Sequence, residues 1–212
     1  MGIIQKNPLD GMASQFYTVG LNKNIVVAGL GNIGNEYEET RHNVGFTCLD
    51  SFVLQNNFDP WAEKKNLHCL LTSRNLGATR VIAIKPTTLM NLSGEAVAAV
   101  IHYYKVELRD VVVVHDELDI PFGQIRIRRG GSDAGHNGVK SVSAHIGEGY
   151  GRIRIGIGPK IPEQMDSADF VLARFSGQEQ AHIKALTLEV NAILAEYIYG
   201  DQLQPETRAF IV

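Results

Sequence analysis

Ile25-Val26-Val27-Ala28-Gly29-Leu30-Gly31-Asn32-Ile33-Gly34-Asn35-Glu36-Tyr37-Glu38-Glu39-Thr40-Arg41-His42-Asn43-Val44-Gly45 is the stretch from which the rest of the chain can be read. Four apolar residues before a glycine cluster predict a buried strand that ends abruptly. The glycines at 29, 31 and 34 permit a sharp turn and leave room beside the strand end. Into that room the chain delivers an amide, Asn32, and further along an imidazole, His42. A loop this polar has little to offer a core. Loops held on a rigid strand are where chemistry tends to be carried.

Gly29-x-Gly31-x-x-Gly34 after a strand is also the pattern of a dinucleotide site. That site needs a helix from the last glycine and an acidic residue ending a second strand. Asn35 to Asn43 is polar, with no helical apolar stripe. Asp50 lies among Val44, Cys48, Leu49, Phe52 and Val53, which recur at helical spacing, so it belongs to a helix. The dinucleotide reading fails in context.

A chain of 212 residues, 44% hydrophobic and 20% charged, fits one ordinary globular domain. No apolar run is long enough to span a membrane. Met1 to Lys23 has the pattern of neither a secretory signal nor a transit peptide. It is read as a mostly unstructured extension, with the folded domain over 24–212. Cys48 and Cys69 sit in apolar surroundings and fit buried free thiols in a reducing cytosol.

Net charge is −3, yet Arg126, Arg128, Arg129, Lys140, Arg152 and Arg154 cluster in the sequence against only Asp133 and Glu148. Arginines alternate with isoleucines over Gln124–Arg129 and Arg152–Ile157, predicting two half-exposed strands with arginines on one side. That face suits a phosphate-bearing partner. A solvated strand face with salt bridges is the plainer alternative.

Elsewhere the spacing predicts a helix over 44–56 and a hairpin of strands Leu67–Thr72 and Arg80–Lys85. The next helix has a stripe of Leu92, Ala96, Val97, Val100, Ile101 and Tyr104. Val111 to Val114 predicts a strand buried on both faces and ending at His115-Asp116. A glycine-rich loop, 130–138, leads into a helix reaching Ile146, followed by a lid-type loop over 159–168 and a helix from Gly177 to Tyr199. The fold class is α/β: a single domain with a twisted mixed β-sheet flanked by helices on both faces. Asn32, Asn91 and Asp116 then share the carboxyl edge of the sheet, where ligands bind in such folds. His136-Asn137 opens a helix whose N–H groups add positive potential.

His42 can take a proton from water near neutral pH, with Asp116 on its other ring nitrogen. Each residue also has a bland reading: a surface histidine, a capping or salt-bridged aspartate, and for Asn91 a helix N-cap. Gly130-Gly131-Ser132-Asp133-Ala134 misses the serine-nucleophile elbow. The histidines and cysteines lack zinc-site spacing, so zinc is not expected, and nothing in the sequence implies another metal or an organic cofactor.

Four blocks in order resemble the bacterial-type peptidyl-tRNA hydrolases. They are Gly29-Leu-Gly-Asn32 through Tyr37 to Thr40-Arg41-His42-Asn43-x-Gly45; Pro86-Thr-Thr-Leu-Met90-Asn91-Leu-Ser-Gly94; His115-Asp116-Glu-Leu-Asp119-Ile-Pro121; and Gly135-His136-Asn137-Gly138 with Arg152-x-Arg154-Ile-Gly156-Ile-Gly158. The resemblance implies a monomeric cytoplasmic enzyme that hydrolyses the ester between a peptide and the 3′ end of tRNA, recycling tRNA from stalled translation. By position it implies His42 as general base, Asp116 as its orienting partner, and Asn91 placing the water or the carbonyl. Asn32 and Asn137 would hold the peptide backbone, Tyr37 and Met90 would line the pocket, and His136 would lie at its rim. Arg128 and Arg154, with Lys140 nearby, would meet the tRNA 5′-phosphate as the CCA end and acceptor stem dock.

Two departures stand out: Ile33 replaces the usual proline, and Ser132-Asp133-Ala134 replaces a glycine-richer segment. Asp133 would slightly weaken anion binding. Some plant-organelle relatives are similar to RNA-splicing factors, so a non-catalytic RNA-binding role is the alternative. Keeping His42, Asp116, Asn32, Asn91 and Asn137 together favours the enzyme.

Overall fold

The structure, a computed structural model, describes residues 23–211. The expected N-terminal extension lies outside them except for Lys23, which already opens the first strand. In chain order the elements are β1 (Lys23–Gly29), α1 (Val44–Gln55), β2 (Ala62–Lys64), β3 (Cys69–Leu76), β4 (Thr79–Pro86), α2 (Ser93–Tyr104) and β5 (Val111–Pro121). Then come β6 (Gln124–Arg129), α3 (Asn137–Ile146), β7 (Gly151–Gly158), α4 (Ser167–Leu172), α5 (Gly177–Gln180), α6 (Ile183–Gly200) and β8 (Glu206–Ala209). All eight strands form one mixed sheet in the order β2-β3-β4-β1-β5-β7-β6-β8. The central β4, β1, β5 and β7 are parallel, and the flanking pairs are antiparallel.

Strand alternation divides the apolar residues between two cores. Ile25, Val27, Val112 and Val114 pack with α1 and α6, while Val26, Ala28, Val111 and Val113 pack with α2 and α3. Four consecutive valines can all be buried only because helices cover both faces. The parallel strands all end at one edge. The loop after β1, the turn after β4 and the far half of β5 therefore meet there.

Gly45 sets how closely α1 approaches that edge. A Cβ at this position would lie 2.5 Å from the Leu30 carbonyl oxygen and 2.7 Å from the Leu30 nitrogen, and would also meet the Val114 carbonyl oxygen. All three are backbone atoms of the β1–β5 junction, where the Leu30 N–H donates to that same Val114 oxygen at 2.9 Å. None can rotate away.

Several expected boundaries shift. β5 does not stop at His115 but continues to Pro121 through an irregular register after Glu117, so Asp116 lies within a strand. The expected Gly177–Tyr199 helix is two helices, with a break at 181–182. Leu92 is 42% exposed and falls off the stripe of α2, because residues 90–92 form a separate 3-10 turn. Leu92 itself takes the N-cap position, so Asn91 is not a cap. β2, β8 and α4 had no counterpart in the sequence reading. Cys48 and Cys69 are free and buried, and among the described residues no helix is long and apolar enough to cross a membrane.

Gly45→Ala should destabilise the fold by at least the ~1–3 kcal/mol typical of overpacking, read as a lower urea midpoint at unchanged slope.

Candidate active site

The polar residues gather around Asp116, which is 2% exposed. His42 stands in a 3-10 turn (Arg41–Asn43) immediately before α1. Its Nδ1 lies 3.0 Å from both carboxylate oxygens of Asp116. Nε2 of His136 lies 2.9 Å from Oδ1 of the same carboxylate. The Nδ1 of His136 accepts from the Gly138 and Val139 N–H groups at 3.1 and 3.2 Å, so its own proton sits on Nε2 and is donated to Asp116. An ionised carboxylate can only accept. His42 therefore donates from Nδ1, which leaves its Nε2 as a lone-pair nitrogen.

Burial opposes ionisation of Asp116. The imidazoles of His136 and His42 outweigh it and hold the carboxyl well below the usual carboxylate range. Burial likewise disfavours charge on His42, but the Asp116 charge and hydrogen bond prevail, so its pKa is raised above 6.5. Beside them His115 is fully buried, and its pKa is pushed well down by burial and by neighbouring His136. Its Nδ1 donates to the Asp116 carbonyl oxygen at 2.6 Å. Its ring meets that of His136 edge-on.

His42, Asp116 and His136 bring ligand-type atoms within 4.8 Å of one another, a set that could hold a metal ion. The hydrogen bonds described above already engage both imidazoles with Asp116, and the remaining nitrogen of His136 caps α3.

A cavity of about 470 Å³ opens beside the cluster. Asn32, His42, Met90, Asp116, Glu117, His136 and Asn137 line one side, and Ser167, Ala168, Val171 and Leu172 of α4 line the other. Asn32 is fixed twice. Its Oδ1 accepts the Met90 N–H at 2.8 Å, which directs Nδ2 elsewhere as a donor. Its backbone N–H and carbonyl are both held by the Asn43 side chain, at 2.8 and 2.9 Å.

A family model described as peptidyl-tRNA hydrolase matches residues 26–210. The chain belongs to the peptidyl-tRNA hydrolase family. It is 41% identical to the peptidyl-tRNA hydrolase of Fusobacterium nucleatum, covering 82% of this chain and 88% of that one. With the Sulfurovum enzyme of the same name identity is 42%, covering 77% and 83%. The crystal structure of peptidyl-tRNA hydrolase from Acinetobacter baumannii superposes with a TM-score of 0.78 at 29% identity, covering 84% and 89%.

Of the residues expected from the family, His42, Asp116, Asn32, Met90, His136 and Asn137 come together. His136 is not at the rim: it is buried and shares Asp116 with His42. Because it consumes two N–H groups of α3, that helix end offers less positive potential than expected. Asn91 is exposed in the turn after Met90, and Tyr37 is half-buried; neither lines the cavity. Among residues of the matched blocks that had drawn no role, Arg41, Asn43 and Glu117 make contacts around the site.

The arginines separate into different duties. Arg126 faces Arg154 and Arg128 faces Arg152 across β6 and β7. Arg152 is not on an open face; it is 1% exposed and donates to the carbonyls of Gly130, Gly131 and Ser132. It pins the loop that delivers His136. Arg154 donates twice to Glu117, at 3.1 Å. Arg128 is half-buried, and burial and Arg154 lower its pKa. Lys140 is exposed on α3. Asp133 turns inward to accept the Gly135 N–H at 2.8 Å. Ala134 adopts φ 52°, a conformation in which glycine would be unstrained.

Because the raised pKa favours protonated His42, a base at this position is inactive at low pH. Its kcat/KM should therefore rise with pH through a midpoint above 6.5. In Asp116→Asn that midpoint should move down while the plateau falls. Initial rates across pH 5–9 would show it, and an unmoved acid limb would separate His42 from Asp116.

Proposed function

We infer that this protein hydrolyses peptidyl-tRNA, releasing free tRNA and peptide, with His42 as general base. The observation that carries this is the buried Asp116 that accepts from both imidazoles and leaves Nε2 of His42 at a cavity. Water on that nitrogen loses a proton as its oxygen attacks the ester carbonyl carbon. Asp116 stabilises the imidazolium that forms. Collapse of the tetrahedral intermediate breaks the bond to the ribose 3′ oxygen, which takes the proton back from His42. No covalent enzyme intermediate is needed.

Asn32 Nδ2 is a preset donor for a peptide carbonyl or the developing oxyanion. Asn137 holds the peptide backbone at the other side of the mouth. Met90 supports the acyl group, while Asn91 and Tyr37, outside the cavity lining, meet the entering substrate at its mouth. Arg128, Arg154 and Lys140 meet the 5′-phosphate of the acceptor stem while the CCA end reaches the cavity. Phosphate contacts give affinity and register without reading sequence, which suits an enzyme acting on many tRNAs. We assign it as a cytoplasmic monomer. A binding-only RNA partner would have no use for the ordered imidazole–carboxylate cluster.

His42→Ala should lower turnover of an N-blocked aminoacyl-tRNA by ~10²–10⁴-fold, with bare tRNA still bound and EDTA without effect on the wild type. Near-wild-type turnover would remove His42 from the role of base. Arg128→Ala with Arg154→Ala should weaken tRNA binding and flatten log Kd against log salt by about two phosphate contacts. An unchanged slope would place the phosphate elsewhere.

A further inference from the structure

We infer that Arg41 is a positioning residue that couples the α4 wall of the cavity to the turn carrying His42. The inference rests on His42 being the general base. Arg41 precedes it directly and is buried. Its guanidinium donates to the Arg174 carbonyl oxygen and, at 2.7 Å, to Oε2 of Glu179. It stacks over the Phe170 ring at 4.4 Å from the centroid and lies near Phe175 at 5.3 Å. Its backbone N–H donates to the Ala173 carbonyl at 3.0 Å, and Thr40 bridges Arg174 as an isolated β-pair. One side chain thus ties the His42 turn to both ends of the 170–179 segment.

α4 has six residues. A helix of that length has no stability of its own in water and stands only where tertiary contacts place it. Phe170 faces Arg41, while Ala168, Val171 and Leu172 face the cavity. Glu179 closes the other end: the same Oε2 that accepts from Arg41 accepts the Ser176 N–H at 2.7 Å, in the capping box of α5. An acyl group seated against α4 therefore presses on a surface whose inner side is Arg41. Remote binding contacts become orientation of His42 against the ester. This makes Arg41 act through His42, without touching substrate.

Turnover of N-blocked aminoacyl-tRNA well below each variant's melting temperature tests this. Arg41→Met keeps a stem over Phe170 and removes the guanidinium bonds. It should lower kcat by roughly 10- to 100-fold, the scale of a misplaced catalytic group, with bare-tRNA affinity unchanged. Glu179→Gln, away from the cavity, should lower kcat in the same direction by less. The double variant should be no worse than Arg41→Met, since both break one link. A role in packing alone would lower the melting temperature and leave kcat of the folded protein at wild type; that result, or a loss confined to tRNA affinity, overturns the proposal. Should Arg41→Met fail to fold, wild-type kcat in Glu179→Gln overturns it. His42→Ala runs alongside: if it too retains turnover, the assignment of the base has failed instead.

Discussion

Asp116 is a carboxylate buried in a protein interior, and an unpaired charge there would cost several kcal/mol. It is tolerable because two imidazoles donate to it, and they come from separate elements of the fold. His42 arrives on the loop after β1, and His136 on the first turn of α3. The central strand carrying Asp116 must therefore lie next to β1, and α3 must begin at the same sheet edge. Those two requirements account for the parallel β4-β1-β5-β7 centre, the close seat of α1 at Gly45, and the glycine-rich loop before α3. Arg152 completes the arrangement by tying that loop's carbonyls to β7.

Much of this was legible because it rests on local pattern. The apolar run 25–28 and the four valines 111–114 can only be interior strands, and glycine clusters mark where the chain turns. The alternation Arg126-Ile-Arg128 and Arg152-Ile-Arg154 correctly gave strands and the shared face. Periodicity could not say which arginine is covered, because burial on that face depends on the path of the 130–136 loop. The reading of Arg152 as exposed failed there. β2, β8 and α4 escaped notice because three to six residues carry too little periodicity to register.

At the site, residue types were readable and their partnerships were not. A histidine at a helix start gives no sign that its Nδ1 is a cap for two N–H groups, yet that bond decides its tautomer and frees Nε2–H for Asp116. Asn43 looked like one more polar loop residue; its side chain is what holds Asn32 in place. Asn91 drew attention by its position in a matched block, and stands exposed beside the turn rather than in the cavity wall. Such pairings join residues far apart in sequence, such as 42 with 116 and 116 with 136, and no local pattern encodes them.

The charge distribution follows from the same geometry. Glu117 is adjacent to Asp116 on β5, lines the same cavity and accepts from Arg154. One strand thus sets one carboxylate against two imidazoles and the next against a guanidinium. Three arginines and one glutamate leave that neighbourhood net positive even in a chain of charge −3. β5 therefore links the positive patch and the base: Asp116 holds the turn carrying His42, and Glu117 holds Arg154 of β7. Because the arginines of β6 and β7 and the Asp116 cluster belong to one hydrogen-bonded sheet, the distance between the positive patch and the cavity is set by strand register rather than by the course of a surface loop.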